Sequence, residues 1–242
     1  MQTIQSLVAT LSSEMTSQHS KPKPQGDPEP STKPTSGDSR QLASHLSTKN
    51  CPAFRAKVIG LDETVPLANR LAKFIEAWIK AAAANKRDKG TWMVISGPPG
   101  AGKSHSLKAA RRFLENHNVD LWHECYWPNP PAVLWATWSR IIALERDEWD
   151  DWLYDLRRAS IVILDDVGSE VDKYKTGEPA ERLRVALETC ERRWLLMSTN
   201  LRPDKWASAF DQRVNSRLQP AVTLDMTGAN DFRPTKKPAN QH

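Results

Sequence analysis

The sequence predicts an α/β fold in which helices cover a parallel, five-stranded sheet on both faces. Short apolar runs that stop at glycine or polar residues indicate buried strands. Stretches with helical periodicity lie between these runs, and strands that alternate with helices favour a parallel sheet. A glycine-rich motif joins the first of these runs to a helix, as expected for a fold of this class.

The first 50 residues differ from the rest of the chain. They contain no Phe, Tyr or Trp, and residues 17–50 are rich in Ser, Thr, Lys and Pro. Such a segment buries too little apolar surface to offset the entropy lost on ordering, so we predict a disordered tail over 1–50. A helix at 3–16 could dock on a partner through one apolar face, or it could be a frayed terminus. That face consists of Ile4, Leu7, Val8 and Leu11.

The folded domain is expected to span 51–233, followed by a flexible tail at 234–242. An apolar stripe and an early Pro66 predict a helix over 62–86. A second helix is expected at 103–117. The five strands are expected at 91–96, 119–126, 160–165, 194–199 and 221–226.

The glycine-rich motif matches the pattern G-x-x-x-x-G-K-[ST], and a strand before it and a helix after it are the context that this pattern requires. Glycines let the backbone approach phosphates, and the loop N–H groups and the helix N-terminus attract the anion. Lys103 would reach the β- and γ-phosphates, and the Ser104 hydroxyl would bind Mg²⁺. The sequence therefore predicts a P-loop NTPase that binds ATP through Gly97, Pro98, Pro99, Gly100, Ala101, Gly102, Lys103 and Ser104.

Polar residues also end two later strands, as in a Walker B motif and the strand that follows it. Asp165 and Asp166 follow the apolar run at 161–164, and Asn200 follows the run at 194–199. Ligand chemistry lies at the carboxyl ends of parallel strands, so we expect Asp165 to hold Mg²⁺ and Asp166 to orient or deprotonate the attacking water. Asn200 could hydrogen-bond this water or the γ-phosphate. The alternatives are a loop acid for the carboxylates and a turn residue for Asn200.

Composition limits the remaining possibilities. The net charge of +5 permits nucleic-acid binding without demonstrating it. No apolar run is long enough for a membrane span, and no secretory signal is expected at the N-terminus. The cysteines are scattered without a C-x-x-C pair, which argues against a zinc site or a disulfide framework. The same pattern fits a protein of the reducing cytoplasm. They are Cys51, Cys125 and Cys190.

These segments, in this order, resemble AAA+ ATPases, and most of all the DnaC-like helicase loaders and the IstB-like transposition ATPases. The resemblance spans about 57–233 and implies an AAA+ core without a C-terminal lid domain, with ATP and Mg²⁺ as cofactors. The stretches that carry it are 97–104 (GPPGAGKS), 163–170 (ILDDVGSE), 198–201 (STNL) and 213–218 (RVNSRL).

The resemblance also implies roles for residues outside the motifs. Val58 and Ile59 would pack on adenine, and Asn200 would act as the first sensor of the nucleotide. Arg217 resembles an arginine finger, which would complete the site of a neighbouring subunit and thus implies a homo-oligomer. Arg233 stands where this branch can carry a second sensor. From the residues alone, Arg217 and its companion at position 213 could equally form a solvated helix face.

The function implied is that of a cytoplasmic ATPase that loads a replicative helicase and acts on single-stranded DNA. One alternative is a transposition helper that binds duplex DNA and recruits a transposase. Another is an ATP-gated adaptor with little turnover, because Asp166 stands where many AAA+ proteins have Glu. A small-molecule P-loop kinase explains neither the acidic pair nor the Asn200 and Arg217 segments.

Six tryptophans crowd the stretch from the second predicted strand to the acidic pair. Their rings could stack on the bases of single-stranded DNA. Their three-residue spacings favour buried helix faces for most of them. They are Trp122, Trp127, Trp135, Trp138, Trp149 and Trp152.

Overall fold

The computed structural model describes residues 54–61, 63–83, 90–117, 133–168 and 177–233. The strands in these ranges are β1 (Arg55–Val58), β2 (Glu63–Pro66), β3 (Trp92–Ser96), β4 (Val133–Thr137), β5 (Ile161–Val167), β6 (Trp194–Thr199) and β7 (Val222–Asp225). The helices are α1 (Leu67–Ala83), α2 (Lys103–His117), α3 (Trp138–Ile141), α4 (Arg146–Arg158), α5 (Glu178–Thr189), α6 (Trp206–Ala209) and α7 (Gln212–Leu218), with a 3₁₀ turn at Pro203–Lys205.

The strands form one mixed sheet in the order β2-β1-β7-β3-β6-β5-β4. Strands β7, β3, β6, β5 and β4 run parallel, and β1 and β2 add an antiparallel edge. The prediction of an α/β fold is confirmed, and five of the seven strands run parallel as expected. The predicted count of five strands is wrong, since seven are present in the described part of the chain.

Alternation along the central strands builds a core on both faces of the sheet. In β5, Val162 and Leu164 face one apolar cluster, which also contains side chains of α3 to α7. Ile161 and Ile163 face the other, which contains side chains of α1 and α2. Strands buried on both faces read as continuous apolar runs, which explains why β3, β5 and β6 could be predicted. β7 was also predicted, although Val222 is exposed and polar residues interrupt its apolar pattern.

The helix predicted over 62–86 begins later than expected. Residues 63–66 form β2, which pairs antiparallel with β1 from Arg55 opposite Pro66 to Val58 opposite Glu63. α1 starts immediately afterwards, at Leu67. Pairing with β1 in this hairpin thus competes with helix formation at these residues and overrides the local helical pattern.

Strand β4 was not predicted, and the strand expected at 119–126 lies outside the described residues. β4 pairs parallel with β5, from Val133 opposite Ile161 to Thr137 opposite Asp165. The three-residue spacing of Trp135 and Trp138 suggested a helix face, but Trp135 lies in the middle of β4 and Trp138 is the first residue of α3. β-branched and aromatic residues favour the strand here.

Two of the six tryptophans are core residues. Trp138 is fully buried and Trp152 nearly so, and their rings make an edge-to-face contact. Core packing is therefore confirmed for this pair. Trp135 and Trp149 are partly buried, and each lies under an arginine, Arg111 and Arg182 respectively.

The other two tryptophans lie outside the described residues, at positions 122 and 127. The same holds for the predicted tails at 1–50 and 234–242 and for the helix expected at 3–16. Among the helices that the structure does describe, none combines the length and the apolar content needed to cross a bilayer.

Candidate nucleotide site

The glycine-rich loop connects the buried strand β3 to α2, whose first residue is Lys103. Gly100 and Gly102 have φ angles of 82° and 91°, a region that favours glycine. An added Cβ would collide with the Asp231 carboxylate at Gly100 and with the Phe54 ring at Gly102. The loop therefore needs glycine at both positions, for conformation and for space.

Lys103 is buried beneath this loop, with 6% of its surface exposed. Its Nζ donates hydrogen bonds to the carbonyl oxygens of Gly97 at 2.7 Å and Pro98 at 2.8 Å, and to Asn200 Oδ1 at 2.7 Å. Burial lowers the pKa of Lys103, while the nearby carboxylates of Asp166 and Asp165 act in the opposite direction. The ammonium group is thus held between the loop and the end of β6.

Asp165, which pairs with Thr137 of β4, lies beside the start of α2. Its Oδ1 accepts hydrogen bonds from Ser104 Oγ at 2.9 Å and from Ser198 Oγ at 2.6 Å. Hydroxyl and carboxylate oxygens are ligands suited to Mg²⁺, which usually binds one or two carboxylates together with substrate phosphates and water. The residues predicted to hold the metal are therefore adjacent and chemically suited to it.

In the described part of the chain, side chains alone do not form a metal site with several ligands. In the described residues, no group of three or more His, Cys, Asp or Glu side chains could hold a metal ion. Mg²⁺ generally takes most of its ligands from substrate phosphates and water beside one or two carboxylates, and Ser104 and Asp165 suit that kind of site.

Asp166 has an unusual backbone conformation. Its φ is 62°, the one positive value for a non-glycine residue in the described ranges. Its N–H donates to Ser198 Oγ at 2.9 Å, and its Oδ1 accepts from Asn200 Nδ2 at 2.7 Å. Such a conformation costs about 1–3 kcal/mol and persists where surrounding contacts determine it, often at functional sites. These two hydrogen bonds are such contacts.

Asn200 connects Lys103 beneath the loop to Asp166 of the acidic pair. Its side-chain oxygen accepts from Lys103, and its side-chain nitrogen donates to Asp166. The structure therefore brings together five of the residues selected from the sequence, and their catalytic roles stay predictions. The five are Lys103, Ser104, Asp165, Asp166 and Asn200.

Arg217 lies on α7 and hydrogen-bonds to its own helix and to α5. Its Nη2 donates to Glu188 Oε1 at 2.8 Å, and its Nη1 donates to the Arg213 carbonyl at 3.2 Å. Arg184 also pairs with Glu188. Arg213 and Arg217 share α7, as the sequence predicts. The hydrogen bonds of Arg217 described here are to residues of α5 and α7. Its proposed action in a neighbouring subunit stays a prediction.

The residues predicted to contact adenine differ in exposure. Val58 is a core residue with 4% of its surface exposed, whereas 46% of Ile59 is exposed. Ile59 follows β1 and is tied to β7 through its backbone N–H. Exposure thus permits a ligand contact at Ile59, and the burial of Val58 leaves it little free surface.

Arg233 ends a segment that lies against the loop. Its charge contributes to lowering the Lys103 pKa. Within this segment, the Phe232 N–H donates to the Gly100 carbonyl at 3.0 Å, and the Phe232 ring makes an edge-to-face contact with Phe54. The structure therefore places Arg233 at the end of a segment that contacts the loop, and its role as a second sensor stays a prediction.

Sequence reasoning missed Ser198 and Asp231 as site residues. Ser198 carried a signal, because a hydroxyl inside an otherwise apolar strand needs a hydrogen-bond partner. Asp231 carried none, since it lies in an irregular segment and approaches Gly100 only through the fold.

No protein-family model matches the sequence, and no curated protein matches it. Solved structures with similarity to it include a DNA replication initiation factor (17% identity, TM-score 0.47, covering 68% of this chain and 47% of the other). AMPPCP-bound DnaA from Aquifex aeolicus shows 17% identity and a TM-score of 0.49, covering 71% and 50%. The DnaC helicase loader shows 17% identity and a TM-score of 0.45, covering 65% and 89%. The chain spans about half the length of the first two, and at these values none of them assigns it a function.

Proposed function

We propose that this protein binds ATP with Mg²⁺ and hydrolyses it, and that it acts in DNA replication as a loader of the replicative helicase. The observation that carries the ATPase proposal is the continuous hydrogen-bonded group of Lys103, Asn200 and Asp166 beside the Ser104–Asp165 pair. This group joins a phosphate-binding loop to a carboxylate that can act on water.

The loop would bind the polyphosphate. Its glycines leave room for close backbone approach, and the N-terminus of α2 favours negative charge. Lys103 is held at this end of the helix and would neutralise charge on the β- and γ-phosphates. Arg233, whose charge reaches Lys103, would add a second cation near the same phosphates.

Ser104 and Asp165 would hold Mg²⁺. When bound, the ion neutralises charge on the phosphate oxygens during phosphoryl transfer. Asp165 is 5% exposed and orients toward Ser104, so the protein supplies its share of the ligands without a large rearrangement.

Asp166 and Asn200 would act on the attacking water. The Asp166 carboxylate can orient that water and accept its proton as the water oxygen bonds to the γ-phosphorus and ADP leaves with the bridging oxygen. Asn200 holds this carboxylate in place through its amide N–H. Both side chains end neighbouring parallel strands, where such chemistry is expected.

The helicase-loader part is supported by the sequence motifs at 163–170, 198–201 and 213–218 and by the apolar face at 3–16. In this proposal, the segment 3–16 binds the helicase, the folded domain binds single-stranded DNA, and Arg217 completes the site of a neighbouring subunit. A transposition helper that acts on duplex DNA with a transposase is the alternative with the same site.

An ATP-gated adaptor with little turnover is supported by a separate observation. Asp166 is one methylene shorter than Glu, and its Oδ1 is engaged by Asn200. A carboxylate held in this way could bind less closely to water, so ATP could be held for long periods. The phosphate loop would then act as a switch.

One experiment separates these possibilities. Phosphate release by the full-length protein is measured with no DNA, single-stranded DNA or duplex DNA, beside Lys103→Met. Turnover that single strands stimulate and Lys103→Met abolishes is the expected result. Stimulation by duplex alone favours the transposition helper, and ATP binding without turnover contradicts the ATPase proposal and leaves the adaptor.

A further inference from the structure

Ser198 is a buried hydroxyl that contacts both residues of the acidic pair. It lies in β6 with none of its surface exposed. Its Oγ donates to Asp165 Oδ1 at 2.6 Å and accepts the Asp166 N–H at 2.9 Å. A serine hydroxyl has one proton to donate, and here that proton goes to the carboxylate of Asp165.

A β-bulge explains why the hydroxyl is needed here. β5 and β6 pair regularly up to Leu164 opposite Met197, and pairing resumes at Val167 opposite Thr199. Asp165 and Asp166 therefore lie opposite the single residue Ser198, and bulges of this kind leave backbone groups without their ladder partners. The side chain of Ser198 replaces the missing acceptor for the Asp166 N–H.

We propose that Ser198 is a positioning residue of the nucleotide site, which fixes Asp165 for the metal and holds Asp166 in its left-handed conformation. This inference rests on the proposed nucleotide-binding function. Ser104 also donates to Asp165, but it is itself a predicted metal ligand. Ser198 is therefore the donor that can orient the carboxylate without binding the metal.

Hydrogen-bond partners of metal ligands typically change metal affinity by about 10- to 100-fold when they are removed. Ser198→Ala removes the hydroxyl without adding volume, so the fold should form. Loss of the hydroxyl frees Asp165 Oδ1 from one donor and leaves the Asp166 N–H without its acceptor. Metal binding should therefore weaken, while the phosphate loop keeps its hydrogen bonds to Lys103.

The test uses the full-length protein with AMPPCP as a non-hydrolysable analogue and Mn²⁺ as a spectroscopic probe for Mg²⁺. Electron paramagnetic resonance measures free Mn²⁺, and fluorescence of a labelled analogue measures nucleotide affinity in EDTA. We expect Ser198→Ala to weaken Mn²⁺ binding roughly tenfold or more and to leave the metal-free nucleotide affinity within about twofold of wild type.

Two further variants separate positioning from general loss of a buried hydroxyl. Thr223→Val removes a buried hydroxyl in β7 whose contact is a 3.4 Å bond to the Ala221 carbonyl, and it should bind Mn²⁺ like wild type. Ser198→Thr keeps the hydroxyl and should recover most of the affinity. Circular dichroism checks that each variant is folded.

Unchanged Mn²⁺ affinity in folded Ser198→Ala, with wild type binding both analogue and metal, would overturn this inference and leave the proposed function intact. Equal losses in Ser198→Ala and Thr223→Val would also overturn it, because they would indicate a general packing effect. If wild type binds no analogue at all, the proposed function fails and this inference fails with it.

Discussion

The ammonium group of Lys103 lies 2.7 Å from the side-chain oxygen of Asn200, and this hydrogen bond joins the phosphate loop to the end of β6. Asn200 in turn holds Asp166. A nucleotide that binds Lys103 would therefore contact a residue that Asn200 already connects to Asp166, the carboxylate proposed to act on water.

This relationship predicts the effect of Asn200→Ala. The variant removes the amide that holds Asp166 and should lower kcat about 100-fold or more, because loss of one catalytic hydrogen-bond donor typically costs about 100- to 1,000-fold in kcat. The KM for ATP should change much less. Asn215→Ala on α7 is the control, and an unchanged kcat in Asn200→Ala would remove Asn200 from the catalytic group.

The Asp231 carboxylate lies against Gly100 of the phosphate loop. Its negative charge should oppose the charge of a bound triphosphate, so Asp231→Asn should tighten ATP binding by roughly threefold at low salt, and less at high salt. The amide oxygen can still accept the Arg233 N–H, so the local turn should persist. Titration calorimetry measures the effect beside Asp204→Asn, and weaker binding would mean that the carboxylate supports the site.

Arg182 lies in α5 and hydrogen-bonds to the end of α3 and to the residues that follow it. Its Nη1 donates to the carbonyl oxygens of Ile141, Ile142 and Leu144, and its guanidinium lies over the Trp149 ring. Arg182→Lys cannot reproduce this planar contact, and we expect a loss of about 2 kcal/mol in the free energy of unfolding. Urea denaturation tests this beside Arg202→Lys at an exposed position. Equal stability of the two variants would contradict the structural role of Arg182.

Burial raises the pKa of the Cys190 thiol to about 12, from an ordinary value of 9.0. The unfolded chain releases this proton at lower pH, so the stability contributed by Cys190 is complete below pH 9 and is lost as pH rises toward 12. At pH 10 the loss should be roughly 1 kcal/mol. Urea midpoints at pH 8 and pH 10 should therefore differ more for wild type than for Cys190→Ala. An equal difference would exclude this contribution.

The parts of the fold that the sequence predicts are those determined by local pattern. Strands β3, β5 and β6 contain continuous apolar runs, and the phosphate loop carries its own signature, so these strands and α2 could be placed. The antiparallel strands β1 and β2 depend on pairing between segments, and Glu63 to Pro66 carry no strand pattern of their own. β4 was misjudged because a three-residue tryptophan spacing continues from a strand into a helix.

The site divides in the same way. Lys103, Asp165 and Asn200 follow apolar strands or a glycine-rich motif, and parallel topology brings such positions to one edge of the sheet. The bulge opposite Ser198 and the approach of Asp231 to Gly100 arise from pairing register and from the path of the chain after β7. Neither has a local pattern from which it could be predicted.

Equilibrium binding of ATP to wild type and Lys103→Met, measured by titration calorimetry with Mg²⁺, tests the central claim most directly. Methionine keeps the volume of the buried side chain and removes its charge and its hydrogen bonds. Wild type should bind one ATP per chain, and Lys103→Met should bind at least about tenfold more weakly, because charge-assisted contacts to phosphate are lost. Equal affinity of the two folded proteins, or no binding by wild type, would contradict a nucleotide site at this loop.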